Sequence, residues 1–363
     1  MVSFQHKSPS PYARVRTTPR AATRMLASLA VIGITMVSSL VYAEPARVAL
    51  ETMKATYSRP QHVPFPKDNV YTAAKAALGQ TLFFDPRLSG SSTMSCSSCH
   101  NPGLSWGDGL PTGIGSSANH LGRRSPTILN LAWAEALFWD GRANSLEEQA
   151  VGPIEAPAEM NQSMPMLVSM IGGIQGYRDA FDAAFPGEPI SAGTIAKAIA
   201  TFERTVVSGE APFDRWIAGE EKAINEPAKR GFVTFNTKAH CAACHSGWRF
   251  TDDSFHDIGL PDKDLGKGQL VPGVEPLLHA FKTPGLRNIA ARAPYMHNGS
   301  VSTITEVIRH YDHGFLQRPS LSSEIFHLNL TDREISDLVE FVKTLTSTDA
   351  KIDVPVLPTT EIN

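Results

Sequence analysis

Apolar residues recur at helical spacing in several short stretches of this chain, and most of these stretches carry their own start signal. Thr303-Ile-Thr-Glu306 is a capping box, so a helix begins near Thr303. Ile304, Val307, Ile308 and Tyr311 then fall at i, i+3, i+4 and i+7. That spacing makes one apolar face, which carries Tyr311 and leaves His310 and His313 pointing elsewhere. A second capping box, Thr331-x-x-Glu334, opens a closing helix whose buried face is Ile335, Leu338, Val339 and Val342. A third, Ser145-x-x-Glu148, puts Gln149 in the first turns of a helix. Residues 193–207 carry Ile195, Ile199, Phe202 and Val206 on one side of a further helix. GQTLFF (79–84) and GFVTF (231–235) each join a glycine to an apolar patch and read as short helices.

One apolar stretch is of a different kind. MLASLAVIGITMVSSLVYA (25–43) has no charge and follows a basic segment with Arg14, Arg16, Arg20 and Arg24. It ends on the small residues a signal peptidase reads, so residues 1–43 are expected to be a cleaved secretory signal. An uncleaved anchor is the competing reading, because the run is almost long enough to span a bilayer. Either way the rest is exported, with no stable membrane insertion expected.

Composition narrows the class without naming a function. The chain has 363 residues, 42% hydrophobic and 19% charged, with a formal net charge of -3. This is an ordinary globular balance with room for two domains, and nothing in it points to nucleic acid. The 27 glycines and 26 prolines favour short helices joined by ordered loops.

The chemistry lies in the four cysteines, which fall as MSCSSCH (Cys96, Cys99, His100) and AHCAACH (Cys241, Cys244, His245). Cys-x-x-Cys-His is the pattern of c-type haem attachment. Two thiols a helical turn apart add to the vinyl groups of one haem, and the adjacent histidine supplies an iron ligand. A redox dithiol or half a zinc site would not require the histidine twice. Each motif follows one of the glycine-led apolar patches. The fold is therefore expected to be mainly α, with two cytochrome c-like domains, each packed around one covalently bound haem c. The expected division is an N-terminal extension at 44–65, a first haem domain at 66–220, a second at 221–350, and a tail at 351–363.

The second axial ligand decides whether a haem carries electrons or reacts. Met296, in a Gly/Pro/Asn loop, could be a ligand or core. Tyr311 could be a ligand, although a tyrosine on a buried helix face is more often a core residue.

In CSSCHNPG, RRSPTILN, FWDGRANSLEEQAVGPIEAPAEM, CAACHSGW, HDIGLPD, FKTPGLRNIAARAPYMHNGS and LTDREISDLVEFVKTLT the chain resembles the bacterial di-haem cytochrome c peroxidase and MauG superfamily, over residues 66 to 348. Two positions point to its MauG-type branch. Ordinary peroxidases of the family carry a distal histidine on the N-terminal haem, where this chain has Ser116, with His120 offset nearby. They carry a methionine fourteen residues after the histidine of Tyr-x-His-x-Gly; here that histidine is His297 and the position is Tyr311. MauG-type proteins have an iron-binding tyrosine there. The resemblance thus implies Tyr311 as a metal ligand together with His100 and His245, and a first haem open at rest. An anionic, hard tyrosinate stabilises the higher iron oxidation states.

The resemblance also implies a role for Trp139 as relay between the haems and for Glu159 as the carboxyl that helps cleave peroxide. It places Gln149 and Pro153 as pocket residues that control access. The implied activity is a peroxidase-like oxidoreductase that uses peroxide or oxygen to reach a high-valent state over both haems. It then oxidises tryptophans of a protein partner, as in maturation of the tryptophan tryptophylquinone of methylamine dehydrogenase in the periplasm. Two readings stay beside it: a cytochrome c peroxidase fed by a small cytochrome or cupredoxin, and a plain electron carrier. Family members bind calcium between the haems through an asparagine. Arg124 stands at that position, and a guanidinium cannot ligate a cation, so the calcium is in question. MauG passes holes out through a tryptophan before its second haem motif. This chain has Lys238 and Ala239 there, and Trp248 after the motif is the alternative.

Overall fold

A computed structural model of the protein describes residues 48–359. The expected signal segment lies outside the described residues. Among those residues, no helix is long and apolar enough to cross a membrane. The structure is mostly helical, and its only sheet among them is the short antiparallel pair β1 (Phe255–His256) and β2 (Phe281–Lys282).

Two helix crossings built alike organise the chain. In the first region α1 (Ala73–Phe84) packs across α6 (Ala192–Thr205). In the second, α8 (Glu226–Asn236) packs across α10 (Asp332–Lys343). Each crossing turns on a glycine. A Cβ on Gly79 would lie 1.9 Å from the carbonyl oxygen of Ala198, and one on Gly231 would lie 2.0 Å from that of Asp337. No larger residue lets the two backbones approach so closely. Matching aromatic pairs close the crossings: Phe83 on Phe202 at 5.2 Å and Phe235 on Phe341 at 5.1 Å between ring centroids. Between α1 and α6 the chain forms α2 (Cys96–Cys99), α3 (Leu146–Glu155), α4 (Met164–Gly172) and α5 (Gln175–Ala184). Apolar side chains of α3, α4 and α5 complete the first core.

The expected caps form. Ser145, Thr303 and Thr331 each accept the amide of the residue three positions on. The helix expected over 193–207 runs Ala192–Thr205, stopping short of Val206, which is nonetheless buried. In α10, Ile335, Leu338 and Val342 are buried as expected, whereas Val339 is half-buried and Phe341 fills the core in its place.

The chain's extremities cross over between the cores. Tyr57, in the N-terminal extension, stacks on Phe250 of the second region at 4.7 Å and donates its hydroxyl to Asn236. Helix α7 (Pro212–Ile217), at the expected domain boundary, packs Phe213 and Trp216 on Phe232. At the other end, Ile352 packs on the first core, and the carbonyls of Asp353 and Pro358 accept from Gln80 and Arg87.

Candidate di-haem site

Each Cys-x-x-Cys-His motif folds as a tight helical turn, with Cys96–Cys99 in α2 and Cys241–Ala243 in a 3-10 turn. All four thiols are free, so none is used in a disulfide. His100 Nδ1 lies 3.3 Å from the Trp106 carbonyl, and His245 Nδ1 lies 2.8 Å from that of Phe250. Those contacts leave each Nε2 for a metal. Burial lowers the pKa of both imidazoles, which favours the neutral form that binds iron. The two carbonyl donors share a strained conformation: Trp106 and Phe250 are fully buried aromatics at φ 63° and 58°. Both motifs open into one cavity of about 780 Å³. The donor set and this apolar space fit two covalently bound haems.

At the end of the cavity near Cys99 and His100, Glu159, Gln149 and Pro153 line the wall. Burial pushes the Glu159 carboxyl up from its ordinary pKa, opposed by the Arg142 charge. The Glu159 backbone is pinned by Ser116, whose amide donates to its carbonyl at 2.6 Å. Gly115 permits this: a Cβ there would lie 1.9 Å from the Ala158 carbonyl oxygen. Ser116 itself is buried outside the cavity lining, and His120 is exposed.

At the other end, Ile304, Val307, Ile308 and Tyr311 all face the cavity with His245. The apolar stripe read from the sequence therefore faces prosthetic-group space. Helix α9 (Ile304–Arg309) passes into a single π-helical turn, His310–Gly314, that carries Tyr311. Such turns are frequent at functional sites. Burial beside Cys244 and Cys241 raises the phenol's pKa, so a tyrosinate here calls for a metal. His310 Nε2 meets the Ile258 carbonyl and His313 meets Asp312, so both point elsewhere. Met296 also lines the cavity, while His297 is buried beside Asp262 at 2.7 Å and stacked on Phe281.

The repeat seen in the two haem motifs extends further than sequence reasoning took it, and its extension ties these residues together. One constant offset takes Asn130 to Asn288, Phe138 to Met296, Trp139 to His297, Ser145 to Thr303, and Pro153 to Tyr311. The local structure follows the same offset. Asn130 and Asn288 both lie at positive φ, as do Phe138 and Met296. Antiparallel bridges join Leu137 to Ala143 and Tyr295 to Val301. The Arg124 amide donates to the His297 carbonyl at 2.7 Å, and the Lys282 amide, Arg124's counterpart, donates to the Trp139 carbonyl at 2.8 Å. Trp139 thus sits where the two regions exchange hydrogen bonds. Its indole donates to the Arg124 carbonyl at 2.8 Å, and its ring lies edge-on to His297 at 6.3 Å. Matching SPTILN with TPGLRN would have revealed the repeat.

Cys244, Asp252 and His256 converge closely enough to hold a metal, but Cys244 belongs to the haem motif. Trp248 packs edge-on against Trp133 at 4.7 Å, with the guanidinia of Arg59 and Arg287 close to its ring.

Comparison with known proteins agrees with this construction. Residues 73–222 match the family model for di-haem cytochrome c peroxidase, and residues 228–346 match that for cytochrome c. The chain is 51% identical to the methylamine utilization protein MauG of Methylorubrum extorquens, over 87% of this chain and 90% of the relative. It is 49% identical to the MauG of Methylophilus methylotrophus, over 90% and 98%. A crystal structure of a MauG-like protein associated with microbial copper homeostasis superposes with a TM-score of 0.74 at 33% identity, covering 80% of this chain and 95% of that one.

Proposed function

We propose, from the premise that the chain belongs to the di-haem cytochrome c peroxidase family, that it is an exported MauG-type enzyme. It uses peroxide to oxidise tryptophan side chains of a partner protein, the methylamine dehydrogenase precursor, in the periplasm. The observation that carries this reading is Tyr311, presented to the cavity beside the second haem motif by the π-helical turn. When bound, the haems supply redox-active iron.

The chain's own residues set what each iron meets. His100 and His245 would hold the two irons through their Nε2 atoms. Pro153 has no ligating atom and would leave the first haem's iron accessible, while Tyr311, at the equivalent position, would offer its phenol oxygen to the second. The half-buried Glu159 carboxyl holds and moves a proton at its oxygens, as cleavage of a peroxide bond requires. Gln149 and Pro153 shape access to that place. Trp139, bonded to both regions, is positioned to carry oxidising equivalents between them. Residues 1–43 direct export.

The test is to mix holoprotein, peroxide and methylamine dehydrogenase precursor, then follow quinone absorbance and the precursor's mass. Crosslinked, oxygenated tryptophans support the reading. An unchanged precursor, with brisk oxidation of a small cytochrome instead, contradicts it and leaves an ordinary cytochrome c peroxidase.

A further inference from the structure

Two buried guanidinium groups lie in the cavity wall without a carboxylate. Arg124 and Arg292 are 6% and 4% exposed. Arg124 donates one Nη2 bond to the Arg292 carbonyl at 2.8 Å, and Arg292 donates to the carbonyls of Gly285 and Arg287, each at 2.8 Å. The Nε of each is buried with no partner. Among the described residues neither guanidinium forms an ion pair, although neighbouring arginines do: Arg123 with Asp140 and Asp264, and Arg287 with Asp214. Asp108 is the acid that acts on Arg124, but its carboxylate accepts from the Ser125 hydroxyl. Burial and then the charge of Arg124 push Arg292 down to about 9. An isolated buried cation is strongly disfavoured, and an anion placed here would relieve it. Each haem brings two propionate carboxylates.

A metal ion does not fit the same place. The residue expected to ligate calcium is a guanidinium, which offers only donors. It already occupies the Arg292 carbonyl, and a second guanidinium would repel a cation from it.

We propose that Arg124 and Arg292 form a built anion site for haem carboxylates and replace the cation held between the haems elsewhere in the family, so that this protein joins its haems without a metal. Arg124 comes from the first region and Arg292 from the second, so the pair links the regions electrostatically. The proposal rests on the two haems alone, and a failure to oxidise methylamine dehydrogenase would leave it standing.

The experiment uses the full holoprotein. Calcium is measured by elemental analysis after dialysis against EGTA, with optical and EPR spectra before and after. Metal-free protein with unchanged spectra is expected. Stoichiometric calcium, or spectra that change with its removal and return with its addition, would overturn the proposal. The haem potentials of Arg124→Gln and Arg124→Lys give a second readout. Removing a positive charge beside a haem carboxylate should lower the potential in the glutamine variant, and lysine should restore most of it. Equal potentials in all three proteins would also overturn it. If the glutamine variant does not fold, the wild-type metal analysis alone decides.

Discussion

In the first haem region the helix capped by Ser145 brings Pro153 to the cavity; in the second, the helix capped by Thr303 brings Tyr311 to the equivalent position. Around these two residues the regions repeat each other closely. Each has a glycine-mediated crossing, a histidine held by the carbonyl of a strained aromatic, and a positive-φ residue before its interface side chain. The difference is therefore local. On the proposed reading, one scaffold would give an open iron or a closed one according to whether a single helical position offers an oxygen. The same exchange places Trp139 opposite His297 at the junction, an oxidisable indole against an imidazole that lies beside Asp262.

The largest expected effect comes from exchanging that position. Tyr311→Phe should convert the second haem from six-coordinate to open, seen as a high-spin ferric EPR signal, and should abolish tryptophan oxidation. Pro153→Tyr should do the reverse and silence peroxide binding at the first haem. If Tyr311→Phe leaves the ferric spectrum unchanged, the second ligand is another group, with Met296 next to test.

Next in size, Glu159→Gln keeps the shape and removes the ionisable proton. Loss of a positioned acid-base group costs on the order of 10²-fold or more in rate, so stopped-flow reaction with peroxide should slow by about that factor while the resting spectra stay the same. The repeat offset takes Glu159 to Gln317, which carries no ionisable proton, so the effect should be confined to the first haem.

The smallest effect tests the shared plan. Gly79→Ala and Gly231→Ala each drive a methyl into a facing carbonyl, at 1.9 and 2.0 Å. Overpacking of this kind costs about 1–3 kcal/mol. Thermal unfolding of the holoprotein should report similar losses for the two. A large loss at one and none at the other would break the equivalence of the crossings.

Much of this was legible in the sequence because it rests on local rules. Cysteine spacing singled out the two motifs that open into the cavity. The capping boxes and helical period gave α9 and α10 and set Tyr311 apart from His310 and His313. What escaped depends on residues far apart in the chain. Nothing local says that Tyr57 stacks on Phe250, that Ile352 returns to the first core, or that Trp106 and Phe250 turn their carbonyls toward the haem histidines at positive φ. Arg124 was conspicuous as a missing asparagine, but its neighbour Arg292 drew no notice. Their unpaired burial emerges only when the regions meet. The glycines marked the haem helices without revealing which backbone each one clears.

The most direct test of an open first haem and a tyrosine-closed second one is to add one equivalent of peroxide to the fully ferric holoprotein, without reductant, and record optical and EPR spectra. The account predicts prompt loss of the ferric signals of both haems and a long-lived oxidised protein. If nothing happens until one haem has been reduced beforehand, the first haem is closed at rest and the assignment of Pro153 and Tyr311 is wrong.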